Sequence, residues 1–180
     1  MYGPVIQGKL VKLRPPRPED ADAMIGWFED LEVTLHLFRR QPPGIDEERE
    51  WLEKMAKDPD SLQWVVEFDG RVVGGTGIHM IDWKNGFGTT GTIIGDRAVW
   101  GRGLGRELMQ LRTAYAFTQL TLRKLKSSYI DGNEASGRAQ ASAGYKIVGR
   151  HKADRWVDGE WRDVIITEVL RKDWQKRKSV

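Results

Sequence analysis

The chain has no cysteine among its 180 residues. That excludes a disulfide framework, a thiolate nucleophile and any cysteine-ligated metal, and it accords with a reducing compartment. No apolar run approaches the ~20 residues that a membrane span needs. Gly3, Pro4 and Gln7 stand where an export signal would carry an apolar stretch. Nothing here directs export, and a cytoplasmic protein with no membrane partner and no metal is expected. Net charge is scarce as well: 29 Lys and Arg against 26 Asp and Glu leave +3. With no RNA-binding motif to go with it, that is weak ground for a nucleic-acid partner, and none is expected. Internal repeats and low-complexity tracts are also missing.

What is present suffices for one core and not for two. A single domain over 1–172 is expected, with 173–180 as a basic, frayed tail; the chain is expected to act as monomer or homodimer. Val5–Arg14 reads as a first strand, ended by Pro15, Pro16 and Pro18. Asp20 to Asp30 carries Ala21, Met24, Ile25, Trp27 and Phe28 at helical spacing. Leu31 to Gly44 is ambiguous and ends in a Pro-Pro-Gly loop signal. A second helix follows from Asp46 to Lys57, with Asp46 as a plausible N-cap. Leu62–Phe68 and Val72–Ile81 form a hairpin across Asp69-Gly70. Asp82–Gly88 turns, and Thr89–Gly95 is the next strand. Arg106–Leu120 is a helix, Leu125–Ile130 a strand and Asn133–Ala143 a short helix. Tyr145–Val157 and Trp161–Leu170 close the chain as a hairpin across Asp158-Gly159.

Between Gly95 and Arg106 lies the stretch with chemistry in it: Trp100-Gly101-Arg102-Gly103-Leu104-Gly105-Arg106. Strand, glycine loop and helix follow one another here. Glycine lets the backbone approach a ligand closely. The first N–H groups of the helix have no internal partner and lie at its positive end, which suits phosphate. Arg102 and Arg106 add formal charge. A Walker A loop is excluded because no Lys-Ser/Thr follows. A dinucleotide fingerprint is excluded because its third glycine would fall on Arg106. The plain alternative is a glycine-rich start to a helix with no ligand.

The x-x-x-Gly-x-Gly loop at 100–105 resembles the pyrophosphate loop of the GCN5-related N-acetyltransferases (GNAT). Trp100 in place of the usual Gln or Arg, with the Trp-Gly-Arg-Gly-Leu-Gly wording, is similar to the branch that includes the ribosomal-protein-alanine N-acetyltransferases. Other landmarks fall in order along nearly the whole chain: Asp69-Gly70, Asn133 with Ser136, Gly144-Tyr145, and Asp158-Gly159 with Asp163. The resemblance implies an α/β fold with a mixed central sheet in the order β-α-α-β-β-β-α-β-α-β-β and helices on both faces. It implies acetyl-CoA as cosubstrate and direct transfer to a primary amine, either a protein N-terminus or a small molecule.

Residue roles follow from the same resemblance. The backbone from Gly101 through Arg102, Gly103, Leu104 and Gly105 to Arg106 would hold the pyrophosphate. The main chain of Ile93, Ile94 and Gly95 would pair with the pantetheine arm, and a strand N–H would polarise the thioester. Asn133 is either an N-cap or a contact to the cofactor arm. Ser136 would donate to the leaving thiolate, or is a solvated serine. Arg138 meets a coenzyme phosphate or is a surface charge. The family's tyrosine acid falls on Gln140, and a frequent early-strand glutamate on Thr89, so the usual acid and base are missing. His79, which titrates near neutrality, is the base candidate, with Asp82 and Glu67 behind it. A missing strong base favours low-pKa acceptors: at about pH 7.4 an α-amine is about a fifth neutral and a lysine about a thousandth. The same resemblance would set Trp27, Phe28, Glu29, Asp30, Glu32, Phe38, Trp51, Asp82 and Trp83 around the acceptor pocket; the plain alternative, preferred for most of them, is a helix pair with core aromatics and solvated charges.

Overall fold

The structure, a computed structural model, describes residues 1–178. Its centre is an eight-stranded sheet. The strands are β1 (Ile6–Gln7), β2 (Lys12–Arg14), β3 (Leu62–Phe68), β4 (Arg71–Asp82), β5 (Phe87–Ile94), β6 (Lys124–Ile130), β7 (Lys146–Val157) and β8 (Glu160–Leu170). They lie in the order β1-β2-β3-β4-β5-β6-β8-β7. The helices are α1 (Asp20–Phe28), α2 (Leu31–Thr34), α3 (Ile45–Lys57), α4 (Leu104–Gln119), α5 (Glu134–Ala143) and α6 (Arg171–Lys178).

Strand alternation sorts the core into two layers. Leu62, Trp64 and Val66 of β3 pack with Leu104, Leu108 and Phe117 of α4. Val65, one residue out of phase, packs on the other face with Met24, Trp27 and Leu52 of α1 and α3. The buried Leu-Gln-Trp-Val-Val run of β3 reflects this cover on both faces. Among these eight strands only β5 and β6 run parallel, and they pair at just three positions, Phe87–Thr89 with Lys124–Lys126. Beyond Thr89 the two strands part, while β5 stays paired with β4 as far as Ile94.

Three expectations are corrected. Val5–Arg14 is not one strand but a tight antiparallel pair, β1 with β2. Its turn is held from outside: the Glu107 carboxylate accepts from the N–H groups of Lys9, Leu10 and Val11 at 2.7–2.8 Å. The N-cap of α3 is Gly44, with Asp46 inside the first turn. The basic C-terminus folds as α6, because Trp174 is 8% exposed and packs against Phe117 with ring centres 5.6 Å apart; residues 179–180 of the expected tail lie outside the described residues. One buried ion cluster fastens the first half together: Arg14 of β2 donates to Asp20 of α1 at 2.8 Å and to Glu67 of β3 at 2.9 Å.

Candidate active site

Gly103 is the N-cap of α4 at φ 85°, a left-handed conformation that favours glycine. Gly101 has φ 76°. A Cβ at Gly101 or Gly105 would meet nothing within 4 Å, so this face of the loop is bare main chain. No side chain caps the first turn of α4, and the nearest acid, Glu107, is turned away onto the β1–β2 turn. The N–H groups of Leu104, Gly105 and Arg106 therefore point out of a 16-residue helix with no partner among the described residues. Arg102 and Arg106 are exposed beside them, with Arg102 also 5.8 Å over the Phe68 ring. An anionic group fits this seat.

The parted strands begin one step away. The Gly95 N–H donates to Val73 of β4. Main-chain groups alternate sides along a strand, so Ile93 shares that direction, and Ile94 and Thr92 face the gap left by β6. Of Ile93, Ile94 and Gly95, only Ile94 thus presents its main chain to the gap. Its carbonyl is taken by the Trp100 indole N–H at 2.9 Å. Thr92 is the gap-facing residue that sequence reasoning missed. A Cβ at Gly95 would lie 1.9 Å from the Trp27 ring, which makes Gly95 a packing position.

Across the gap, Asn133 caps α5: its Oδ1 accepts from the Ser136 N–H at 3.0 Å. Ser136 Oγ accepts from Gln140 Nε2 at 3.1 Å, so its own O–H is free to donate. Gln140, at the expected tyrosine position, is 2% exposed and also accepts from Thr167 Oγ1. Arg138 is exposed and pairs loosely with Glu134 at 3.8 Å.

On the opposite side of β5 lies a cavity of about 510 Å³. Its walls are α1, α3 and the loop between α2 and α3, through Trp27, Phe28, Phe38 and Trp51, as expected. Glu29, Asp30, Glu32, Asp82 and Trp83 are not on it. Asp30 pairs with Arg97, Asp82 accepts from Asn85, and the Trp83 indole donates to Pro59. The carboxylates that do line the cavity come from α3: Glu47, Glu48 and Glu50. Glu47 is tied to Arg39 at 2.9 Å. Glu48 is buried, and burial raises its pKa.

The cavity floor is Gly75, Gly77 and His79 of β4 with Gly91 and Ile93 of β5 and Gln63 of β3. Its glycines are what leave the floor open. His79 is the base candidate that reaches it. Burial, with Arg112 next, pushes its imidazole below the usual histidine range, against a smaller opposing pull from Asp58; the ring is neutral at neutral pH. Glu67 is not available as a base, because it is held by Arg14 and Lys12, which lower its pKa. Beneath the floor lies a residue with no sequence signal. Arg112 of α4 is 1% exposed and donates from Nη1 to Thr76 Oγ1, the Gly91 carbonyl and Thr92 Oγ1 at 2.6–2.8 Å. In the sequence it only fills a slot in a helical apolar pattern.

An anion seat on one edge of a parted strand, with a separate cavity over the same strand's face, is the layout of a transferase that brings two substrates together across one strand. The acetyltransferase (GNAT) domain family matches residues 11–146, and the chain belongs to it. Members use acetyl-CoA as acyl donor, and the bare loop and uncapped helix of this chain fit its diphosphate. An uncharacterized N-acetyltransferase of Bacillus licheniformis, p20, is 25% identical over 167 residues, covering 90% of this chain and 93% of its own. The fold is similar to that of a spermidine N-acetyltransferase from Vibrio cholerae solved with CoA and spermine, at TM-score 0.85 and 20% identity over 93% of this chain and 99% of that one. It is also similar to a ribosomal L7/L12 alpha-N-protein acetyltransferase solved with CoA, at TM-score 0.83 and 14% identity over 93% and 98%. Among the described residues no helix is long and apolar enough to cross a membrane, and no group of His, Cys, Asp and Glu could hold a metal.

Proposed function

We propose that the chain acetylates a primary amine, a protein N-terminus or a small-molecule amine, by direct attack with both substrates bound. The observation that carries this is the placement of the cavity of about 510 Å³ over Gly91 and Ile93 of β5, the strand that parts from β6 beyond Thr89. Bound acetyl-CoA supplies the activated acetyl thioester. The N–H groups from Gly101 to Arg106 hold its diphosphate, with Arg102, Arg106 and Arg138 as nearby cations. The outward main chain of Thr92 and Ile94 would hold the pantetheine arm, with the Ile94 carbonyl taken by the Trp100 indole N–H in this structure. Asn133 keeps its amide N–H donors for the same arm while its Oδ1 caps α5.

His79 Nε2 takes the proton that the amine sheds as its nitrogen bonds to carbon. Ser136, oriented by Gln140, donates to the departing sulfur. Trp27, Phe38 and Trp51 exclude water and offer ring faces to an acceptor that carries further positive charge, and Glu48 and Glu50 add counter-charge. A His79 base without a carboxylate favours amines already partly neutral at working pH. The test is acetyl transfer from labelled acetyl-CoA to a mixed panel of N-terminal peptides, polyamines and aminoglycosides, read by mass. Labelled amine product supports the reading. Tight CoA binding with no product from any amine would instead mark a non-catalytic acyl-CoA binder.

A further inference from the structure

Gln63 carries a buried oxygen with no partner. The residue is 5% exposed and its Oε1 accepts no hydrogen bond among the described residues, while Nε2 makes one long contact to the Trp64 carbonyl at 3.4 Å. Buried acceptors in folded chains are nearly always satisfied. This one lies on the cavity floor. Sheet register sets Gln63, Gly77 and Gly91 in one row across β3, β4 and β5. A Cβ on Gly77 would stand 2.4 Å from Gln63 Oε1 and 2.4 Å from His79 Nε2. The two acceptors are therefore no further apart than twice that distance, and the recess between them exists because residue 77 has no side chain. A nitrogen entering the recess reaches both once the Gln63 amide turns its buried Oε1 outward.

We propose that Gln63 is a catalytic residue: its Oε1 and His79 Nε2 each accept one N–H of the incoming amine, so that the nucleophile must carry two. This rests on the acetyl-transfer reading above. A neutral primary amine has two N–H bonds and one lone pair. With both N–H bonds held against the floor, the lone pair is directed off it, toward the thioester carbonyl carbon. The nitrogen–carbon bond forms, the carbon–sulfur bond breaks with its electron pair on sulfur, and the proton on the nitrogen passes to His79 Nε2. Gln63 exchanges no proton and fixes the amine's rotation. The specificity that follows is for primary over secondary amines and over alcohols, because a nucleophile with one N–H or O–H leaves one of the two acceptors empty.

The test uses the full chain and a matched pair of acceptors, any primary amine it acetylates and that amine's N-methyl derivative, with Gln63→Met, Gln63→Glu and Gly77→Ala. The wild type should prefer the primary amine by about ten- to a hundredfold in kcat/KM. Gln63→Met should bring the two substrates to within about threefold, with CoA affinity unchanged and a melting temperature at or above that of the wild type, since it removes a buried unpaired acceptor. Gln63→Glu keeps an acceptor and should keep the preference. Gly77→Ala, whose methyl fills the recess, should lose amine turnover and retain CoA binding. If Gln63→Met keeps the full preference, or the wild type shows none, the proposal is overturned while the acetyltransferase reading stands. If the wild type binds CoA and acetylates no amine, both fall together.

Discussion

Gly105→Glu separates stability from cofactor binding, because it should raise one and lower the other. Residue 105 lies in the first turn of α4, and a Cβ there meets nothing within 4 Å. Exchanging glycine for glutamate in a helix gains about 0.5 kcal/mol of propensity, and a carboxylate at the positive helix end adds roughly 0.3–1 kcal/mol. The variant should therefore melt about 2–4 °C higher than the parent, as about 1 kcal/mol does for a chain of this size. The same carboxylate stands where the diphosphate would sit. A like-charge pair costs about 4 kcal/mol at 4 Å under an effective dielectric near 20, and about half that at twice the distance. CoA affinity should fall on the order of 30- to 1000-fold. Calorimetric titration with CoA, alongside thermal unfolding without it, reads both quantities. Gly105→Gln, neutral and of the same length, should lose much less, and the gap between the two variants should narrow in high salt. If Gly105→Glu binds CoA within threefold of the parent, the loop is not the diphosphate seat.

Three further outcomes are expected. Arg14→Met leaves Asp20 and Glu67 facing a partner that no longer carries charge, and chemical denaturation should show a loss of about 3–5 kcal/mol. His36 and His79 both titrate below the ordinary 6.5, burial being the largest cause for each. The unfolded chain then binds more protons in mildly acidic solution, so stability should be level above that value and fall as pH drops below it; urea midpoints that rise toward acid would contradict this. Ser136→Ala should lower kcat on the order of tenfold with CoA affinity unchanged, since it removes only the donor to sulfur, and Gln140→Leu should show a similar defect through loss of the bond that orients Ser136.

The local features were legible in the sequence because short-range physics writes them. Asp69 and Gly70 at φ 50° and 72° make the hairpin turn that an Asp-Gly pair implies. Glycine spacing, the uncapped helix start and the Asn133 cap each depend on a few consecutive residues. Helical and alternating periods located nearly every element, and failed where a partner distant in the chain intervenes. The break between β1 and β2 is set by Glu107, and α6 is docked by Phe117.

The sequence by itself determined most of the elements, the loop proposed as the anion seat and the family; tertiary structure decided the acceptor side. Gln63, Gly77 and Gly91 read separately as an ordinary polar strand residue and two weak strand residues. Only strand register makes them one row with His79 folded over it. Arg112 likewise only fills a slot in the helical apolar pattern until α4 packs it under Thr76 and Thr92. A phosphate seat needs main chain from one turn of one helix, so contiguous residues encode it. A nucleophile's recess needs side chains absent and present on three different strands, and that coincidence is created by pairing over long loops.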